Sequence, residues 1–319
     1  MLVTEKALIS RIRRQAGRTR GRVLTGIGDD CAVLQIPAGH ETLVTTDFSL
    51  EGTHFRRDWH PAASVGHRCL ARGLSDIAAM GGEPIAAFLS LALPRKLAKE
   101  WVDQFLRGLL DLAARAGVQL AGGDTAESPG GVMADIVVLG SAPRGKAILR
   151  SGARPGDRIF VSGRLGGAAA ALQQMMDHPK RKLNPRDFPQ HFFPEPRLRL
   201  GRVLRGKASA MIDLSDGLST DLAHICEESN VGARIEEAAL PLARIGKSKQ
   251  EVDLRFALHG GEDYELLFTV PTHRRIPSRM AGVSVTQIGY VKRGAGAVLV
   301  DSDGVTSKLP VVGWEHFRS

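Results

Sequence analysis

Cysteine is scarce in this sequence. Cys31, Cys69 and Cys226 are the only three in 319 residues, and no two form a CxxC pair. That spacing offers neither a zinc site nor a disulfide framework, and it suits a reducing cytoplasm. Tyrosine is scarcer still, with two residues. The net charge is +9, but the lysines and arginines are spread along the chain without an Arg/aromatic stripe, so no nucleic-acid partner is expected. An anionic small substrate explains the basic balance better. No stretch approaches the ~20 apolar residues of a membrane helix. Met1–Arg20 is rich in arginine but has no apolar signal-peptide core, and reads as an amphipathic helix carrying Leu8, Ile9 and Ile12.

What the chain does have is an ordinary globular composition, 43% hydrophobic and 24% charged, long enough for two domains. Apolar runs at 42–46, 86–93, 134–140 and 158–162 read as buried strands. Between them, 62–80 and 99–116 carry helical patterns, the second with Trp101, Phe105, Leu109 and Leu112 on one face. Strands alternating with helices indicate an α/β or α+β protein. The turn-rich segment 151–157 makes the natural boundary, giving domains of residues 1–148 and 149–319. Residues 161–172 read as strand, glycine-rich turn and helix. Lys180–Pro196 is basic with four prolines and reads as an extended surface loop. Further on come a helix at 216–229, a strand at 264–270 and a tail, Gly313–Phe317. Leu74-Ser-Asp76 and Leu214-Ser-Asp216 each open a helical pattern, a faint echo between the halves.

The aspartates carry the chemistry. Asp29 and Asp30 follow Gly-Ile-Gly28, Asp47 ends an apolar strand, Asp76 opens a helix, Asp124 follows Gly122-Gly123, and Asp213 and Asp216 bracket Leu214-Ser215. One such acid is a turn former or helix cap. Repeated at so many strand ends and glycine turns, they suit Mg²⁺, which takes oxygen ligands from a few carboxylates plus substrate phosphates. Glycine pairs at 26/28, 122–123, 166–167 and 260–261 let backbone N–H groups approach an anion. None forms a G-x-x-x-x-G-K-[ST] loop, and no G-x-G-x-x-G follows a strand, which excludes a P-loop or Rossmann enzyme. Ser215 has no nearby histidine, and none of the ten histidines completes a triad, so no covalent nucleophile is indicated.

In order along the chain, Gly26-Ile-Gly-Asp-Asp-Cys-Ala-Val33, Thr45-Thr-Asp-Phe-Ser-Leu-Glu-Gly-Thr-His-Phe55, Leu74-Ser-Asp-Ile-Ala-Ala-Met-Gly-Gly82, Gly122-Gly-Asp-Thr125, Ile212-Asp-Leu-Ser-Asp-Gly-Leu218 and Gly260-Gly-Glu-Asp-Tyr-Glu-Leu266 resemble the thiamine-monophosphate kinase family. The wider superfamily includes aminoimidazole ribonucleotide synthetase, selenophosphate synthetase and the hydrogenase maturation dehydratase. The resemblance implies a two-domain aminoimidazole ribonucleotide synthetase-like fold, a homodimer whose N-terminal sheets pair, and an active site in a cleft between the domains. It implies ATP-dependent, in-line phosphorylation of thiamine monophosphate to thiamine diphosphate. By motif, Asp30, Thr45, Thr46, Asp47, Asp76, Asp124, Asp213 and Asp216 would hold several Mg²⁺ ions; Gly123, Asp124, Arg150 and Ser215 would contact ATP; His54, Glu262 and Trp314 would line the thiamine pocket. Gly73 stands where the family often has Asn. Cys31, inside its motif, reads as structural, not as the reactive cysteine of a selenophosphate synthetase. Another ATP-dependent synthetase of the superfamily and a basic nucleic-acid-binding protein are the rival readings. Glu51-Gly-Thr-His54 and Gly260-Gly-Glu-Asp-Tyr-Glu265 favour the kinase.

Overall fold

A computed structural model of the chain describes residues 5–28 and 30–314, which leaves Asp29 and the end of the C-terminal tail outside the described residues. The chain divides into two compact units. One contains Met1–Ile77, Gly82–Gly145 and Phe192–Pro194; the other contains Ala78–Gly81, Lys146–His191 and Glu195–Ser319. Both mix helix and strand.

In the first unit, α1 (Glu5–Ala16) precedes a two-stranded ribbon of β1 (Val23–Thr25) and β2 (Val33–Leu34). Then follow β3 (His40–Leu50), α2 (Ala62–Ala79), β4 (Glu83–Pro94), α3 (Lys99–Ala116), β5 (Gln119–Ser128) and β6 (Met133–Pro143). The four long strands form one sheet in the order β3-β6-β4-β5. Only β4 and β5 are parallel, and α3 is the crossover that a parallel pair requires. Leu70, Leu74 and Ile77 of α2 are buried at helical spacing, as are Phe105, Leu109 and Leu112 of α3. A Cβ on Gly66 would overlap the carbonyl of Phe105, and one on Gly108 that of Ala63, so α2 and α3 meet backbone to backbone.

Gly73 serves the same end, because a Cβ there would press on the Val138 side chain of β6. The other face of the sheet is only partly covered, by the β1–β2 ribbon, whose Val23 and Leu34 pack with Ile85, Phe88 and Ala121. Val44, Phe48 and Met133 are exposed, so the runs at 42–46 and 134–140 are half-buried strands and not the fully buried ones expected. Strands paired antiparallel tolerate one open face.

The second unit contains β7 (Arg158–Ser162), α4 (Gly167–Asp177), α5 (Pro189–Phe192, ending in the first unit), α6 (Leu198–Leu204), β8 (Ala210–Asp213), α7 (Leu218–Ser229), β9 (Gly232–Glu236), β10 (Arg244–Ile245), β11 (Gln250–Glu251), α8 (Leu254–His259), β12 (Leu266–Val270), β13 (Arg279–Met280), β14 (Val283–Lys292), β15 (Gly296–Val300) and β16 (Thr306–Lys308). Its main sheet runs β16-β15-β9-β14-β7-β12-β8. Here both faces are covered. Ile159, Val161, Ile212, Leu222 and Leu267 belong to one core cluster; Phe160, Met211, Leu200 and Phe268 belong to another, with the Phe160 and Phe268 rings stacked at 5.6 Å.

Lys180–Pro196 is not the extended surface loop its prolines suggest. Asn184 caps a 3₁₀ turn at Pro185–Asp187, α5 follows, and Leu183, Phe188 and Phe192 are buried. In the first unit His60 and His67 meet Phe192 and Phe193 edge-on, and the His67 ring Nε2 lies 2.7 Å from the Pro194 carbonyl. Aromatic burial overrides the proline signal. Among the described residues no helix is long and apolar enough to cross a membrane.

Candidate active site

In the first unit the acids converge through their side chains. Thr45, Thr46 and Asp47 follow one another on β3, and Asp76 lies in α2 beneath them. The Thr45 hydroxyl donates to Asp76 Oδ2 in a very short contact. The Thr46 hydroxyl donates to Asp135 Oδ1 at 2.7 Å. Burial first, and then the charge of Asp76, push the Asp47 carboxyl up to about 7, with Asp135 adding to the effect; Arg72 pulls the other way. Arg72 also donates to the Phe48 carbonyl, which fixes it beside the group.

Asp135 was given no role on sequence, although a lone acid inside Met133-Ala-Asp-Ile-Val-Val-Leu139 was the available signal. Strand register places Phe48, Asp135, Ser90 and Asp124 in one row across the sheet. Asp124 is therefore two strands from Asp135, about 10 Å away. It is exposed, and its Oδ1 accepts the Thr125 N–H at 2.8 Å. Gly123 before it has φ 143°, and a Cβ would overlap the Leu89 carbonyl, so only glycine fits. Among the described residues no three acid, histidine or cysteine side chains already form a closed metal site. The arrangement is a carboxylate pair with hydroxyls, of the kind that substrate phosphates complete around Mg²⁺.

Asp30 stands exposed in the β1–β2 connection, and Cys31 beside it is a free, exposed thiol. His54 lies in the turn after β3. Its Nδ1 accepts the Leu50 N–H at 3.0 Å, so the neutral ring carries its proton on Nε2.

In the second unit the acids are held by backbone. Asp213, buried, ends β8 opposite Leu266 of β12. Beyond the strand ends the two loops stay laced together. Leu214 N–H donates to the Glu265 carbonyl at 2.8 Å, Tyr264 N–H to Leu214 at 2.9 Å and Glu262 N–H to Ser215 at 2.8 Å. Trp314 N–H donates to the Asp216 carbonyl at 3.1 Å. Asp213, Ser215, Asp216, Glu262 and Trp314 are thus gathered in one place, from three separated stretches of sequence. Arg150 has an exposed side chain, and its neighbour Leu149 accepts the Met211 N–H on β8.

Two further acids support this group. Asp221, buried in the first turn of α7, accepts the N–H groups of Asp216 and Gly217 at 3.1 and 3.0 Å. Burial, then Asp213 and Asp216, raise its carboxyl well above the ordinary range. Asp263 accepts the N–H groups of Gly166 and Ala168 at 2.6 and 3.3 Å. Sequence reasoning quoted the motif containing Asp263 and placed Asp221 in a helix, without giving either a role.

Comparison with known proteins gives the family. Residues 28–142 match the family described as AIR synthase related protein, N-terminal domain, and residues 154–302 match its C-terminal domain. The thiamine-monophosphate kinase of Escherichia coli (strain K12) is 39% identical, with 100% of each chain covered. That of Bacillus subtilis (strain 168) is 33% identical over 92% of this chain and 93% of its own. The chain belongs to the thiamine-monophosphate kinase family. The crystal structure of the Stenotrophomonas maltophilia K279a member, 36% identical, superposes with a TM-score of 0.82 over 96% of this chain and 99% of that one. A structure of AaThiL complexed with AMPPCP and TMP, 31% identical, gives 0.77 over 98% and 97%. The hydrogenase maturation protein HypE in complex with ATP, at 20% identity and a TM-score of 0.77, shows the shared fold alone.

Proposed function

We infer that this chain transfers the γ-phosphoryl group of ATP to thiamine monophosphate, forming thiamine diphosphate and ADP. The observation that carries this is a relative superposing over 98% of the chain whose structure holds AMPPCP, an ATP analogue, together with TMP. An oxygen of the acceptor's terminal phosphate attacks the γ-phosphorus while the bond to the β–γ bridging oxygen breaks, and ADP leaves. No covalent enzyme intermediate is needed, and catalysis is positioning and electrostatics.

Two pressed carboxyl groups, Asp47 and Asp76, with the Thr45 hydroxyl on Asp76, form an all-oxygen donor set whose repulsion a hard divalent cation relieves, while Thr46 turns to the opposite face of β3, where its hydroxyl meets Asp135. Mg²⁺ fits. Asp30, Thr45, Thr46, Asp47, Asp76 and Asp124 of the first unit, and Asp213 and Asp216 of the second, are the residues that would hold several such ions. Bound Mg²⁺ supplies neutralisation of the phosphate oxygens during transfer. Gly123 admits its backbone to a phosphate, Ser215 and Arg150 contact ATP, and the Arg150 guanidinium adds positive charge. His54, Glu262 and Trp314 receive the thiamine moiety, His54 with its Nε2–H as donor.

Residues 1–148 then form the ATP- and metal-binding domain and 149–319 the domain that completes the site. The exposed Val44, Phe48 and Met133 on the uncovered part of the sheet support pairing with a second copy, because exposed large apolar side chains are costly in water. A cytoplasmic location fits the free cysteines. The test is incubation with ATP, Mg²⁺ and thiamine monophosphate, with free thiamine beside it. Thiamine diphosphate forms from the monophosphate only; equal turnover of free thiamine, or none of either, refutes the assignment.

A further inference from the structure

Asp263 lies between two residues in the left-handed region, Glu262 with φ 69° and Tyr264 with φ 49°. Such residues, lacking glycine's freedom, persist only where the surroundings hold them. The surroundings are on the page. On the strand side, Glu265 is buried and pinned by Arg197, whose Nε donates to its Oε2 at 2.7 Å, and by the Ser162 hydroxyl. On the loop side, the backbone lacing to Leu214 and Ser215 fixes the N–H groups of Glu262 and Tyr264. What remains is the bond between this loop and the glycine turn that opens α4, and Asp263 makes it with both carboxylate oxygens. Gly166 at that turn has φ 85° and no side-chain cap, so Asp263 takes the cap's place from 97 residues away in sequence.

We propose that Asp263 is a positioning residue for the acceptor: by capping α4 it holds Glu262 in its left-handed turn and so sets the affinity for thiamine monophosphate. This rests on the reading of Glu262 as an acceptor contact. Burial pushes the Asp263 carboxyl up to about 7 against the pull of the Gly166 and Ala168 N–H groups, consistent with a group placed for its hydrogen bonds. Asp263 does not touch the reacting atoms, so the loss should fall on acceptor binding and not on turnover.

The test combines Asp263→Asn, Glu262→Gln and the double variant. Thiamine monophosphate alone is titrated by calorimetry, and steady-state rates are measured at saturating ATP and Mg²⁺. Asn keeps one acceptor and loses the other along with the charge. The expected result is binding about tenfold weaker, with kcat and the KM for ATP within about twofold of wild type. In the double variant the loss should be no larger than in Glu262→Gln alone, because the two act through one contact. Normal acceptor binding by Asp263→Asn with a lowered melting temperature, while Glu262→Gln binds weakly, overturns the positioning role and leaves a plain helix cap. Normal binding by Glu262→Gln removes the reading beneath the proposal, and the proposal with it. If Asp263→Asn does not fold, Asp263→Ser, which also keeps one acceptor, is read in the same way; if neither folds, Asp263 is a folding determinant and the proposal fails.

Discussion

The two units handle aspartate in opposite ways. In the first, Asp47 on β3 and Asp76 on α2 face each other, with the Thr45 hydroxyl on Asp76 and the cation Arg72 opposing the repulsion. In the second, Asp213 ends β8 and Asp216 sits in the loop beyond it, which main-chain hydrogen bonds stitch to its neighbour, with Asp221 accepting from the backbone beneath. The first arrangement stores electrostatic repulsion that a bound cation would discharge. The second spends its hydrogen bonds on geometry, so that the groups it carries need not reorganise when substrate arrives. One half should therefore be sensitive to charge, and the other to shape.

The largest expected effect tests the charge-sensitive half. Asp47→Asn keeps size and removes the ionic ligand, and should cost about 10²–10³ in rate at saturating Mg²⁺, equivalent to roughly 3–4 kcal/mol of transition-state stabilisation. Melted without metal, the same variant should be at least as stable as wild type, since one of two crowded carboxyl groups is gone. A near-normal rate would remove Asp47 from the metal site. A variant that does not fold would make it a structural turn residue.

The contrast between the sheets comes next. The second unit covers both faces of its sheet, while the first leaves Phe48 and Val44 in solvent. Phe48→Lys should convert a dimer to monomers at micromolar concentration, because an unpaired lysine would be buried in the pairing face. Light scattering decides it: a wild-type monomer at that concentration refutes the pairing, and a variant that stays dimeric moves the interface elsewhere.

The shape-sensitive half should show the inverse of Asp47. Asp221→Asn retains an acceptor for the Asp216 and Gly217 N–H groups and should change the rate little. Asp221→Ala leaves those groups unpaired in the interior and should lower unfolding stability by about 1–3 kcal/mol. Denaturant melts of the two variants would show the difference. Equal destabilisation by Asn and Ala would mean that charge, not hydrogen bonding, is what Asp221 contributes, and the comparison between the halves would lose one side.

Periodicity made the long elements legible: α3 occupies the residues its apolar face predicted, and β7 and β12 are buried strands. It could not say which sheet face is covered, since Val44 and Phe48 look as apolar as Leu43. Proline misled at 180–196 because the phenylalanines there find partners far away in sequence. At the site, the sequence named candidate aspartates but not their partners, and it set Asp47 at a strand end and Asp76 at a helix start, where the structure has them inside β3 and in the last turn of α2. Asp135 reaches Thr46 only through the register of β3 with β6, and Asp263 reaches Gly166 only because β12 pairs with β7, neither of which local spacing encodes.

The smallest effect, a few degrees in melting temperature, would sharpen the comparison most. Asp47 in the metal-free fold holds its proton up to about pH 7, whereas in the unfolded chain it releases it near the ordinary carboxylate value of 3.8. Between those values the folded state binds more protons, so this group's contribution to stability is full below about pH 4 and is lost as pH rises towards 7. Asp263 and Asp221 are raised as well and act in the same direction, so the wild-type curve alone does not isolate Asp47. The difference between wild type and Asp47→Asn does. With a chelator present, the variant's advantage in melting temperature should be absent near pH 4 and grow through pH 7. With Mg²⁺ at pH 7.5 the order should reverse, because only the wild type gains stability from binding the ion. An advantage independent of pH would show that Asn stabilises by packing rather than by relieving charge, and the first unit would then be no more charge-sensitive than the second.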